Sequence, residues 1–279
     1  MKIGVIGSGI MGNGIAQTFA MAGYEVILSD LNEKALVSAR EVIAVNIERV
    51  LKKQESTQAG DEILQRIQFT TGKDVLADAD LIVEAIIENI EMKKAIFKEL
   101  DGICEPKTIF ASNTSSYSIT EIAAATSRPD RVCGMHFFNP VPVMKLIEVI
   151  RGAATSEETV TFVQQLAARI GKESITVADA PLFVVNRILI PMISEAIFVL
   201  DEGIATAEDI DKGMVLGTNQ PIGPLKLADM IGLDTLLYVQ ETLLQETGDS
   251  KYRIPQSLKK LVRAGHYGRK TGQGFYRYT

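Results

Sequence analysis

The sequence predicts a doubly wound, mostly parallel α/β sheet followed by an all-α C-terminal domain. Three observations carry the prediction. Short apolar runs alternate with helix-like stretches from residue 2 to residue 179, the signature of βαβ units around a sheet covered on both faces. The first run, KIGVIG, ends in a glycine-rich turn that opens a helix. From Phe183 onward only helical patterns remain, punctuated by GTNQPIGP at 217–224 and closed by a glycine-rich tail. The break at Ala180–Pro181 divides the chain into an α/β domain over 1–182 and a helical domain over 183–279.

Taken in order, residues 2–7 form a strand, and apolar spacing over 10–22 predicts a helix that stops at Gly23. YEVILSD is a second strand ending at Asp30, followed by a helix from Asn32 to about Lys53. The alternation then repeats as strand DLIVEAI (80–86), helix EMKKAIFKEL (91–100), strand TIFAS (108–112), a helix near 119–125 and strand RVCGMHFF (131–138). NPVPV reads as a turn and KLIEVIR (145–151) as a further strand. Thr155 and Glu158 have the spacing of a capping box that opens a helix closing at Gly171, and ESITVAD (173–179) is the last strand.

Composition narrows the function. With 279 residues, 46% hydrophobic and 23% charged, the chain is long and apolar enough for a folded core. A formal charge of −6 argues against nucleic acid as the main ligand. The two cysteines, Cys104 and Cys133, belong to no Cys/His cluster, so no metal is expected, and a reducing compartment fits them. The longest apolar stretch, Phe183–Leu200, carries Asn186, Arg187, Pro191 and Glu195, which argues against a membrane span. Met1–Gly9 is unlike a secretory leader, and the expectation is a cytoplasmic protein, or an organellar one without its presequence.

Gly7-Ser8-Gly9-Ile10-Met11-Gly12 is a G-x-G-x-x-G between a strand and a helix. Such a turn needs glycine at the bend, at the approach to a pyrophosphate and at the helix–strand contact, with an acid about 20 residues on for the ribose. Asp30, 18 residues past Gly12, is that acid, and the domain reads as Rossmann-type. Its charge repels a 2′-phosphate and no Arg follows it directly, so NAD is favoured over NADP.

Ligands of doubly wound sheets sit at the carboxyl ends of the strands. Glu88, Asn113–Ser116 and His136 follow or end strands there. If the strands at 131–138 and 145–151 fold as a hairpin about residue 142, His136 and Glu148 are each six positions from the midpoint and lie opposite each other. A carboxylate beside imidazole fixes the tautomer and stabilises the imidazolium of a general base. Ser115 lacks a nucleophile-elbow context and reads as a binding residue. On the helix ending at Lys53, Ile43, Ile47, Val50 and Leu51 share one face, opposite Arg49, Lys52 and Lys53. That basic face is either simply solvated or a clamp for a polyanionic substrate near the nucleotide crevice. The Phe183–Leu200 helix, apolar nearly all round, suits a core or a subunit interface, and Asn186 near its start is a polar exception available to a substrate.

The segments VIGSGIMGNGIAQ, ASNTSSYSITEIA, GMHFFNPVPVMKLIEVI, FVVNRILIPMISEA and GRKTGQGFY together resemble the L-3-hydroxyacyl-CoA dehydrogenase family, in particular its short bacterial members that act on 3-hydroxybutyryl-CoA, from about residue 2 to 278. The resemblance implies an NAD-dependent oxidoreductase of acyl-CoA and fatty-acid or butyrate metabolism, with a helical domain that forms a homodimer or a dimer of dimers. It implies His136 as catalytic base and Glu148 as its partner, with Ser115 and Asn186 holding the substrate oxygen. Asn139 lies in the same HFFNP motif, among the cofactor-binding positions with Gly7, Gly9, Ile10, Met11, Gly12 and Ser115. Glu88 and Lys93 match positions at the nicotinamide ribose and Asp30 the adenosine ribose ligand. Lys53, with Lys52 beside it, matches a lysine that contacts coenzyme A, whereas Asn46 stands where some members have serine. Two other readings of this scaffold stay open: a sugar-acid dehydrogenase of the L-gulonate type, and a non-catalytic crystallin-like protein.

Overall fold

The computed structural model describes residues 1–53, 55 and 59–278. The chain divides into two compact units, Met1–Ala180 and Pro181–Thr279.

The first unit is built on eight strands: β1 (Lys2–Ile6), β2 (Glu25–Ser29), β3 (Ile67–Thr70), β4 (Leu81–Glu84), β5 (Ile109–Ser112), β6 (Val132–Phe137), β7 (Leu146–Arg151) and β8 (Glu173–Ala178). Six helices join them: α1 (Ile10–Met21), α2 (Glu33–Lys53), α3 (Gly60–Leu64), α4 (Ile90–Ile103), α5 (Ile119–Ala123) and α6 (Glu157–Arg169). They form one sheet ordered β3-β2-β1-β4-β5-β6-β7-β8, parallel throughout except for the antiparallel β6–β7 pair. The central strands are apolar on both faces because helices cover both, and Ile3, Val5, Leu81, Ile82 and Val83 are fully buried. Ile15, Phe19, Ile43, Ile47, Val163 and Leu166 from α1, α2 and α6 pack into one core with strand residues. Elsewhere Phe97 of α4 meets Phe110 of β5 edge-to-face at 5.7 Å. The chain runs outward from β1 to β3, then returns to place β4 on the other side of β1. That reversal opens a crevice at the carboxyl ends of β1 and β4.

Two details differ from expectation. Strand β3 and the short helix α3 were not foreseen: IQFT is only four residues long, sits on the sheet edge and carries polar Gln68 and Thr70, too short a pattern for periodicity to register. The helix cap also lies one residue later than the Thr155–Glu158 spacing suggests. Ser156 caps α6 by accepting from the Thr159 N–H at 3.2 Å. The Thr155 hydroxyl is already committed, accepting from Gly152 N–H at 2.9 Å and donating to the Val132 carbonyl at 2.6 Å.

The second unit contains α7 (Val185–Asp201), α8 (Ala207–Thr218), α9 (Pro224–Ile231), α10 (Leu233–Thr247) and α11 (Gln256–Arg263). Its core gathers Leu182, Ile190, Ile193, Ile197, Leu225, Leu236, Leu243 and Leu258. Helix α7 buries one face rather than its whole circumference within this chain, and Ile188 remains 67% exposed. The C-terminal tail is fastened to two buried carboxylates. Asp229 accepts from the N–H groups of Phe275 and Tyr276 at 2.9 Å each and from the Tyr278 hydroxyl at 3.0 Å. Asp211 accepts from Leu225 and Lys226 N–H, at the start of α9, and from the Tyr276 hydroxyl at 2.8 Å. No helix among the described residues is long and apolar enough to cross a membrane.

Candidate active site

The turn from β1 into α1 is shaped for an anionic ligand. Gly7 has φ +98°, which a side chain disfavours, and a Cβ on Gly12 would lie 1.8 Å from the Gly7 carbonyl oxygen. Gly9 caps α1 without any side-chain bond to the first-turn N–H groups, and nothing lies within 4 Å of where its Cβ would project. Those N–H groups and the helix dipole therefore face open space suited to a pyrophosphate. The space is a cleft of about 720 Å³ lined by Gly7, Gly9, Ile10, Met11 and Asp30, together with apolar Leu31 and Ile87 that sequence reasoning did not single out.

Asp30 follows β2 and is held from behind. Its Oδ2 accepts from the Ser8 N–H at 2.7 Å and the Ser8 hydroxyl at 2.8 Å, and its Oδ1 accepts from Asn32 N–H at 2.9 Å. Burial pushes this carboxyl up, but the hydrogen bonds from Ser8 and Asn32 outweigh it and hold the group below the ordinary aspartate value. Ser8, the first variable residue of the glycine fingerprint, is thus a positioning residue for Asp30. Only its place in that motif could have signalled it.

Beyond β4 and β5 lies a buried charged cluster. Lys93, on the first turn of α4, is 1% exposed, and its Nζ is 2.7 Å from Glu84 Oε1 and 3.2 Å from Glu88 Oε2. The ammonium expected at the cofactor is therefore enclosed by two carboxylates, Glu84 and Glu88. Glu88 Oε1 accepts from the hydroxyls of Thr114 at 2.5 Å and Ser116 at 2.8 Å and from Ser115 N–H at 3.1 Å. Burial raises its pKa, but Lys93 and the two hydroxyls prevail and hold it below the ordinary glutamate value. The turn that carries half-buried Ser115 is in this way fastened to α4's leading edge. Asn113 Oδ1 accepts from Phe137 N–H at 2.9 Å and ties the same loop to β6.

His136 and Glu148 are register partners in the β6–β7 ladder. His136 Nδ1 is 2.7 Å from Glu148 Oε2, with the His136 side chain 7% exposed and the Glu148 side chain fully buried. The Phe138 ring lies 4.6 Å from the imidazole, centroid to centroid. With Nδ1 facing a carboxylate, the neutral ring carries its proton there and its basic lone pair on Nε2. The hairpin tip, which includes exposed Asn139, is braced by buried Lys172, whose ammonium donates to the carbonyls of Val141 and Met144 at 2.6 Å each. Nothing in the sequence pattern pointed to Lys172.

The remaining expected residues lie elsewhere. Asn186, the second residue of α7, is half-buried in the second unit. Lys52 and Lys53 are exposed in the last turn of α2. They are not among the residues that line the nucleotide cleft. Ala35 near the other end of α2 lines that cleft, and the helical rise separates Lys53 from Ala35 by about 27 Å along the axis.

A doubly wound sheet, a glycine cradle with an acid at the end of β2, and a His–Glu pair at the carboxyl end of β6 define the class of nicotinamide-dependent dehydrogenases. The family model of the 3-hydroxyacyl-CoA dehydrogenase NAD binding domain matches residues 2–180, and that of the 3-hydroxyacyl-CoA dehydrogenase C-terminal domain matches residues 183–278. The chain belongs to the 3-hydroxyacyl-CoA dehydrogenase family. It is 50% identical over 278 residues to a probable 3-hydroxybutyryl-CoA dehydrogenase of Deinococcus radiodurans, covering all of both chains. It is 49% identical over 281 residues to the 3-hydroxybutyryl-CoA dehydrogenase of Clostridioides difficile, covering 100% of this chain and 99% of that one. The crystal structure of (S)-3-hydroxybutyryl-CoA dehydrogenase from Ralstonia eutropha superposes with a TM-score of 0.96 at 50% identity, covering 100% of this chain and 99% of the other.

Proposed function

We propose that the chain catalyses the reversible, NAD-dependent oxidation of (S)-3-hydroxybutyryl-CoA to acetoacetyl-CoA, with His136 as general base in that direction and general acid in reverse. The observation that carries the reading is the His136–Glu148 pair on the same sheet as the Gly7–Gly12 cradle and Asp30. NAD, when bound, supplies the hydride acceptor. His136 takes the 3-hydroxyl proton on Nε2, and Glu148 compensates the imidazolium that results. Ser115 holds the substrate oxygen, which gains negative charge as its proton leaves. Gly7, Gly9, Ile10, Met11 and Gly12 receive the pyrophosphate, Asp30 the adenosine ribose, and Glu88, backed by Lys93, the other ribose, with Asn139, three residues after His136, as a further cofactor contact. Lys52 and Lys53 offer counter-charge to the phosphates of coenzyme A. The second unit serves as the dimerisation element, and the protein works in the cytoplasm, in fatty-acid or butyrate metabolism.

The test is consumption of NADH or NADPH on addition of acetoacetyl-CoA, followed by the loss of reduced-nucleotide absorbance. Stereospecific turnover with NADH is expected. Turnover of a keto-sugar acid in place of acetoacetyl-CoA, or nucleotide binding without turnover, would overturn the reading.

A further inference from the structure

The cluster around Lys93 holds more negative than positive charge. Glu84 is the last residue of β4 and fully buried, and three donors converge on it: Lys93 Nζ at 2.7 Å, Ile86 N–H at 2.8 Å and the Ser112 hydroxyl at 2.6 Å. With Glu88, two carboxylates share one ammonium, which leaves a formal charge of −1 fixed at the carboxyl ends of β4 and β5. A structural ion pair would need only one of the two. Asp30 assigns the adenosine half of a dinucleotide to the β2 side, and the α1 N-terminus assigns its pyrophosphate to β1. The nicotinamide half then falls on the side of β4, β5 and β6, where this charge and His136 both reside. The nicotinamide ring is cationic when oxidised and neutral when reduced. A fixed negative charge beside it therefore acts on the two forms unequally, and more strongly than in water because the cluster is buried.

We propose that Glu84 is a specificity-determining residue that sets the preference of the site for oxidised over reduced cofactor, through the excess negative charge of the Glu84–Lys93–Glu88 cluster. The proposal rests on the NAD reading given above. Glu84→Gln keeps the side-chain shape and an oxygen for Lys93 and Ile86 while cancelling the charge. Dissociation constants of NAD and NADH are measured by titration calorimetry on the whole chain. The ratio of the NAD constant to the NADH constant is expected to rise about three- to tenfold in Glu84→Gln. Ser112→Ala removes one neutral hydrogen bond at the same carboxylate and should leave the ratio where it was. Lys93→Gln, which makes the cluster more negative, should move the ratio the other way, and it decides the matter if Glu84→Gln does not fold. Equal weakening of both nucleotides in Glu84→Gln, or a Ser112→Ala shift of the same size, would make the cluster purely structural and overturn the proposal. A parent protein that bound neither nucleotide would overturn the NAD reading itself, and this proposal with it. An unchanged ratio in a variant that still binds both would overturn this proposal alone.

Discussion

His136 Nδ1 lies 2.7 Å from Glu148 Oε2 because the two residues face each other across one rung of the β6–β7 ladder. Their distance is thus fixed by backbone pairing, and the imidazole is oriented before any ligand arrives. Replacing His136 by Gln should preserve the fold and NADH affinity while lowering kcat by about 10²- to 10⁴-fold, the usual contribution of a positioned base. Steady-state turnover together with a nucleotide titration checks this, and turnover within a few-fold of the parent would remove His136 from the role.

Asp30 lines the cleft and is held there by Ser8 and Asn32. Asp30→Ala removes both a ribose acceptor and the repulsion of a 2′-phosphate. Affinity for NADPH relative to NADH should rise. Competitive titrations of the two nucleotides measure it, and an unchanged ratio would show that discrimination lies elsewhere.

Glu88 has its pKa held below the ordinary glutamate value of 4.5 despite burial. A depressed carboxylate contributes stability that is fully present above its unfolded value and is lost as pH falls through the lower folded value. Thermal melts should therefore show a loss of stability on acidification below about pH 4.5. Glu88→Gln should be less stable than the parent at neutral pH and should lose less on acidification. Parallel melting curves over the whole acid range would contradict the assignment.

Lys52 and Lys53 are solvent-exposed at the end of α2 and are not among the residues lining the nucleotide cleft. If they neutralise coenzyme A phosphates, the double variant Lys52→Ala/Lys53→Ala should raise KM for acetoacetyl-CoA with kcat nearly unchanged, the mark of lost uniform binding. The effect should fade as salt rises, since exposed charges are screened over about 8 to 10 Å at physiological ionic strength. A pantetheine thioester lacking the nucleotide should be indifferent to the change. Equal losses on both substrates would mean that the helix end acts through structure.

Gly274 has no room for a side chain: a Cβ there would lie 2.0 Å from Asp229 Oδ1 and 2.7 Å from the Gly268 Cα. Gly274→Ala should destabilise the second unit by about 1 to 3 kcal/mol, the usual range for overpacking. Chemical denaturation is the measurement, with NADH affinity as the control expected not to move.

The backbone ladder and the glycine turn were legible because each leaves a local or countable trace. Six residues on either side of position 142 place His136 against Glu148, and the spacing from Gly12 leads to Asp30. Long-range side-chain partners leave no such trace. Ser8 is an ordinary variable residue in its motif, Glu84 looks like the polar end of a strand, and Lys172 follows a helix-ending glycine like any surface lysine. Their importance comes from what folding brings to them: the Asp30 carboxylate, the Lys93 ammonium, and two carbonyls of the hairpin tip. Periodicity likewise puts Lys52 and Lys53 on the exposed face of α2 but does not say what that end of the helix approaches.

The fastening of the tail to Asp211 and Asp229 ties distant stretches of the second unit together. Both carboxylates are buried, at 3% and 1% exposure, and their partners Phe275, Tyr276 and Tyr278 lie 46 to 65 residues further along the chain. Contacts of such separation form only once the helices between them are in place, because the loop they close must be ordered first. The tail and the segment from α8 to α11 therefore gain their order together, and loosening one end of that span loosens the other.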